Sequence, residues 1–187
     1  MCDNPTNQLL TLLGWLHICF QPIFANMIYM YFLPADVREK IQWWVYSACF
    51  AGSIIMIVNT YPFSWAEPMT TNFIYDKHIC SVSGAWHIAW HIPVFNTITF
   101  PIPYIGGYYG LLVFVMPFLY GSWKMTAYHM VTGLLLAMAL TNDFHETAAV
   151  WCLLSIGLLT VVAKTRVRDY LYVNTWYGLQ FPKFMRG

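Results

Sequence analysis

Residues 78–123, HICSVSGAWHIAWHIPVFNTITFPIPYIGGYYGLLVFVMPFLYGSW, run for 46 positions without one Asp, Glu, Lys or Arg. A transmembrane helix takes about 20 mostly apolar residues, within a range of roughly 17–25. The stretch is therefore long enough for two spans, and Pro101 and Pro103 divide it where a proline pair breaks a helix and permits a turn. How this stretch is read decides how many helices the chain has and which way its ends point.

Working outward, further uncharged windows cover 41–66, 125–142 and 147–163, with another between Asp3 and Asp36. Of the 187 residues, 59% are hydrophobic and 9% charged, against roughly 25% charged in a soluble domain. Seventeen charged side chains (nine basic, eight acidic) cannot cover a soluble protein of this size. The pattern predicts six spans, near 9–33, 41–60, 82–99, 104–121, 125–141 and 147–163, the fifth short enough for a re-entrant segment. The long apolar blocks do not suit a β-barrel, whose strands alternate over short segments. The expected fold is all-α, a polytopic transmembrane helical bundle forming a single domain over 1–187. Because the first span begins close to Met1, the chain also reads as a fragment of a longer protein.

Loop cations set the expected orientation. Six spans put Lys77, Lys124, Lys164, Arg166, Arg168, Lys183 and Arg186 on the side shared by the termini, and only Arg38 and Lys40 on the other. Both termini are thus expected in the cytoplasm, in a multi-pass membrane protein. A basic start and a small-residue cleavage site are missing, so no cleavable signal peptide is expected. The five cysteines have no C-x-x-C spacing. They read as small core residues rather than a disulfide frame. A net charge of +1 makes no case for nucleic acid; the expected partners are the lipid bilayer and other membrane subunits.

The chemistry lies in the histidines. Ionisable groups are costly in a bilayer and normally face a bundle interior, a cavity or a partner. His87 and His91, four apart in SGAWHIAWHIP, share one face if the segment is helical. A helix starting near Val82 places His87 roughly 8 Å and His91 roughly 14 Å into the membrane; His17 would lie roughly 12 Å deep and His129 roughly 6 Å. Four imidazoles then share one layer. Neutral imidazole binds zinc, iron or copper, and two ligands from one helix with a third from another make an open, catalytic-type site. Two facing histidines could instead ligate haem. The competing use is a brace, each histidine bonded to a carbonyl or to Ser83, Thr126 or Thr132 on a neighbouring helix. Gly106, Gly107 and Gly110 read as close-packing positions, Pro22, Pro93 and Pro117 as kinks, and Asp143–His145–Glu146 as a charged loop tip.

HICFQPIF at 17–24, GAWHIAWHIP at 84–93, PFLYGSWK at 117–124 and AVWCLLSIG at 149–157 resemble a poorly characterised multi-pass membrane family of bacteria and large algal-type viruses. The resemblance implies no activity. Members carry extra N-terminal helices, in keeping with a fragment. A fainter resemblance is to the alkaline ceramidase superfamily of membrane hydrolases. Ser83 and His87 match its Ser-x-x-x-His unit, and His87 and His91 its H-x-x-x-H pair; the likeness implies zinc chemistry. This chain departs in carrying both patterns on one segment, in Met125 standing four before His129, and in Asp143 lying on the far side.

The functional expectation is a metal-dependent enzyme acting on a lipid or other membrane-accessible substrate. His87, His91 and His129 would be ligands, His17 a fourth ligand or supporting group, and Ser83 an orienting partner, with zinc, iron, copper or haem as the cofactor. The alternative is a non-enzymatic transporter or a helical subunit of a larger membrane complex, its histidines serving packing or haem and pigment contacts.

Overall fold

The structure, a computed structural model, describes residues 3–60, 63, 79–92 and 105–173. Helix α1 covers Pro5–Met30 and α2 Ala35–Val58. A hairpin follows, with β1 at Cys80–Ser83 and β2 at Ile88–His91. Helix α3 is a continuous rod of Ile105–Gly110, a π-helical stretch Leu111–Val115, and Met116–Leu119. Helix α4 repeats that design with Trp123–His129, a π stretch Met130–Leu135, and Leu136–Leu140. Helix α5 spans Phe144–Lys164, and the short α6 Val167–Leu171. The helical class holds.

Local chemistry explains the boundaries. Asn4 caps α1, its side chain accepting from Thr6 N at 2.9 Å, with Pro5 at the position where a missing N–H costs nothing. Pro34 begins α2, and Gly121, at φ 97°, makes the left-handed turn between α3 and α4 that glycine takes without strain. Among the described residues, three helical stretches are long and apolar enough to cross a membrane: α1, α2 and residues Glu146–Lys164 of α5. At about 1.5 Å per residue, α1 is roughly 39 Å long, longer than the roughly 30 Å hydrocarbon core. Leu10, Leu13, Phe50, Ile54, Leu153 and Ile156 stand exposed along these helices, a surface that suits lipid and not water.

The expectation of a helix at 82–99 is corrected: its described part is an antiparallel hairpin. The register pairs Cys80 with His91, Ser81 with Trp90, Val82 with Ala89 and Ser83 with Ile88. Gly84 N donates to His87 O at 2.7 Å across the connecting loop. Residues 93–99 lie outside the described residues. The i, i+4 spacing of the Trp and His pairs is compatible with a helix, yet Ser, Val, Ile and Gly in this stretch favour one poorly. Tertiary contacts tip the balance. Asn7 on α1 pairs with Ser81 like a neighbouring strand, Nδ2 donating to Ser81 O and Oδ1 accepting from Ser81 N, both at 2.9 Å. Trp90 lies over Gly14, where a Cβ would meet its ring at 3.3 Å.

The hairpin redistributes the charges. One end of the bundle holds the start of α1, the hairpin, the end of α2 (Trp15 Nε1 donating to Thr60 Oγ1 at 2.8 Å) and the start of α5. The other holds the α1–α2 turn, the α3–α4 turn and α6. There Val173 N donates to Phe32 O at 2.9 Å, and Lys124 Nζ to Tyr170 O at 3.0 Å. Arg38 and Lys40, expected opposite the other cations, therefore share the second end with Lys124, Lys164, Arg166 and Arg168. Lys77, Lys183 and Arg186 lie outside the described residues. Cys19, Cys49 and Cys152 are free thiols as expected, whereas Cys80, at the hairpin end, is disulfide-bonded. Cys2 lies outside the described residues.

The core gathers around Tyr29, Met30, Leu33 and Val37, packed with Val113, Met125 and Trp151. Polar groups inside it are paired; among the described residues no buried side-chain N or O lacks a partner. The most connected is Asn26, with no exposed surface. Its Nδ2 donates to Leu112 O at 2.9 Å and Pro22 O at 2.8 Å, and its Oδ1 accepts from Tyr120 Oη at 2.7 Å. Leu112 needs that donor. In the π register its carbonyl would await the N–H five residues on, which is Pro117 and has none.

Candidate functional site

His129 sits where α4 passes from its α-helical start into its π-helical stretch. Such π stretches recur at functional sites. Tyr29 comes from α1, Trp151 and Ser155 from α5 one turn apart. Tyr29 Oη lies 2.6 Å from His129 Nδ1, Ser155 Oγ 2.6 Å from Nε2, and Trp151 Nε1 3.2 Å from the same Nε2. The indole N–H can only donate, so Nε2 must offer its lone pair and the ring proton rests on Nδ1, directed at Tyr29 Oη. The imidazole is neutral. Ser155 Oγ also reaches Trp151 O at 2.8 Å, so its single proton has two acceptors.

Gly133 makes room for this array. A Cβ there would meet Trp151 Nε1 at 2.8 Å and His129 Cδ2 at 3.1 Å. Gly133→Ala is expected to push the indole off the imidazole and lower stability by about 1–3 kcal/mol, the usual cost of overpacking. The melting temperature of the detergent-solubilised protein checks this, and an unchanged value would show that the ring pair tolerates the methyl group.

The array forms part of the wall of a cavity of ≈ 180 Å³, whose other walls include His17, Gln21, Phe24, Ile28 and Cys152. Phe24 and Ile156 on its rim are exposed on the lipid-facing surface. Gln21 also lines a second cavity of ≈ 430 Å³, between Trp15, Met56, Tyr109, Phe114 and Trp151. Tyr109 Oη donates to Gln21 Oε1 at 2.7 Å, and Gln21 Nε2 to Cys152 Sγ at 3.4 Å.

The four expected ligands do not come together. His17, exposed on α1 and stacked on Phe24 (centroids 6.2 Å apart), shares the first cavity with His129. His87 is exposed in the hairpin loop and His91 half-buried on β2. The loop is fastened to Glu146, nine residues before Ser155 on α5, or about 13.5 Å along the helix. Among the described residues no three His, Cys, Asp or Glu side chains group to hold a metal ion. Both nitrogens of His129 are already engaged. The three-donor group expected for zinc, iron or copper is therefore not seen among the described residues. Ser83 ends β1, so the Ser-x-x-x-His and H-x-x-x-H patterns fall on the hairpin and not on helices.

What occupies the SGAWH loop instead is a carboxylate. Glu146, expected at an exposed loop tip, has no exposed surface. Its Oε1 accepts from the backbone N–H groups of Trp86 and His87, and its Oε2 from Ala85 N at 3.2 Å and Thr141 Oγ1 at 3.0 Å. Successive N–H groups converging on one anion form a nest, here filled by the protein itself. Gly84 belongs to it, because a Cβ there would stand 2.4 Å from Glu146 Cδ. Asp143 is exposed, and the side chain of His145 lies outside the described residues. The sequence signal for this nest was a glycine in an uncharged turn and one acidic residue at a helix start, too common a pair to single out.

With this geometry in view, a family model matches residues 1–172. The chain belongs to DUF5765, a family of unknown function. An uncharacterised family covering most of the chain is what the resemblance implied at that coarse level. No curated protein and no solved structure matches it. DUF5765 membership thus lends no activity to the site, and its function has to be argued from the residues.

Proposed function

We propose that this chain is a multi-pass membrane protein that takes a membrane-resident amphiphile into the His129 cavity, reading its polar part with the Tyr29–His129–Ser155 array. The observation that carries this reading is an apolar cavity with lipid-facing rim residues and one polar array on its wall. Cavities of this kind, with few convergent polar groups, are the usual form of small-molecule sites. A brace alone would need no cavity.

The proposed topology has five crossings, with the second end in the cytoplasm. Six basic residues at that end support it under the positive-inside rule. The disulfide-bonded Cys80 at the first end supports it independently, since disulfides persist in oxidising compartments. Trp43, Trp44 and Tyr170 towards the cytoplasmic end, and Trp86 at the other, are exposed as interfacial aromatics are. Cysteines introduced at 36 and 166 are expected to react with an impermeant reagent from the same side, and one at 86 from the opposite side. Positions 36 and 166 reacting from opposite sides would overturn this topology.

The cavity is tested in proteoliposomes with a lipid carrying a photoreactive group on its acyl chain. Crosslinks are expected to concentrate on residues 21–29 and 152–159 and to drop when Ala25→Phe fills the space. Labelling spread evenly over the lipid-facing faces, Phe50 and Ile54 included, would sink the reading.

A further inference from the structure

Holding a ligand does not need a serine hydroxyl against a histidine whose tautomer is set. We infer that Ser155 is a nucleophile towards carboxylic esters of membrane-resident molecules, with His129 as its base. This deepens the cavity reading and rests on it. Ser155 Oγ is 2.6 Å from His129 Nε2, within reach for proton transfer during attack. Trp151, which can only donate, sets the lone pair on that same nitrogen, and its longer contact of 3.2 Å must yield as Nε2 takes the Ser155 proton. Tyr29 Oη, 2.6 Å from Nδ1, holds the other ring proton and keeps the imidazole from turning over. A nucleophile, a base, and a third group orienting the base is the arrangement activated serines share. Tyr29 touches no reacting atom and is a positioning residue.

The remaining requirement is a donor for the carbonyl oxygen as negative charge develops on it. Gln21 lines the same cavity, and its amide nitrogen donates one N–H to Cys152 Sγ, a weak acceptor one turn before Ser155 on α5, leaving a second N–H. In the first step Ser155 Oγ bonds to the ester carbonyl carbon while its proton passes to His129 Nε2. The bond to the alcohol oxygen breaks, and the alcohol departs with the proton from Nε2, leaving the acyl group on Ser155. A water molecule then attacks the acyl carbon and gives a proton to Nε2. The Ser155–acyl bond breaks, that proton returns to Oγ, and a carboxylic acid leaves. No oxidant or reductant is needed.

A long-chain alkyl fluorophosphonate, which bonds to activated serines, tests this on the full chain in nanodiscs. We expect one covalent addition at Ser155, located by peptide mapping, and none in Ser155→Ala. His129→Gln should slow the addition by about 10²-fold or more. Tyr29→Phe should slow it less and shift its pH profile, a change that a packing role would not produce. Photoreactive-lipid crosslinking and melting temperature, measured on each variant, report the cavity and the fold separately. A wild-type chain that crosslinks lipid but does not react, or a Ser155→Ala chain that reacts equally, overturns the nucleophile and leaves the cavity standing. Reaction at Ser155 without lipid crosslinking overturns the cavity reading alone.

Discussion

Asn26→Leu is expected to lower the unfolding free energy by at least about 2 kcal/mol, although leucine keeps the branched heavy-atom skeleton of asparagine. Interhelical hydrogen bonds in membranes average only about 0.6 kcal/mol because most partners find substitutes. Those of Asn26 cannot. The Leu112 carbonyl lies in a π stretch whose next donor is Pro117, and Tyr120 Oη is buried against α1. Each group left unpaired costs about 1–3 kcal/mol. Denaturant unfolding of the purified protein measures the loss, with Tyr120→Phe as the control that removes one bond and leaves those of Asn26 Nδ2 to Pro22 O, Leu112 O and Cys49 Sγ. Pro117→Ala gives the decisive comparison, since it restores the N–H that the π register would direct at Leu112. The double variant Asn26→Leu, Pro117→Ala should recover part of the loss, a non-additivity that marks a shared acceptor. Full additivity, or a loss for Asn26→Leu below about 0.5 kcal/mol, would refute the assignment.

Gly84→Ala should free the hairpin from α5. The new methyl group would meet the Glu146 carboxylate at 2.4 Å from Cδ, and neither side can yield easily. Glu146 is held by Thr141 and by three consecutive backbone donors. Overpacking of this kind costs about 1–3 kcal/mol. It falls on one attachment, so hydrogen exchange at residues 80–91 should quicken by roughly tenfold or more while the helices stay protected. Glu146→Ala should release the same segment by removing the acceptor, and adding Gly84→Ala to it should do little more. If the two effects add fully, the contact between them is not what holds the hairpin.

Membrane residence, the helical class and the limits of α1, α2, α3, α4 and α5 to within about six residues were legible in the sequence, the start of α2 being the furthest off. They depend on how much apolar surface each segment must bury, which composition and charge spacing determine locally. The role of Pro117 was half legible: a proline within a span announces a missing donor, but not that Asn26, 91 positions earlier, replaces it. His129 could be named as a polar group at depth; its partners Tyr29, Trp151 and Ser155 could not.

The hairpin at 80–91 was decided by tertiary structure. Its histidine and tryptophan spacing suits a helix face, and the poor helix preference of its Ser, Val, Ile and Gly residues is too weak to overrule that alone. Asn7 and Glu146, distant in sequence, present an acceptor and donor edge and a carboxylate that only an extended chain and an open loop can use. That choice moved His87 and His91 out of the histidine layer, brought Arg38 and Lys40 to the end that holds the other described cations, and left His129 hydrogen-bonded to Ser155 on the wall of a cavity. Spacing along a chain specifies which side chains share a face only after the backbone has taken one form, and here that form was set by groups on two other helices.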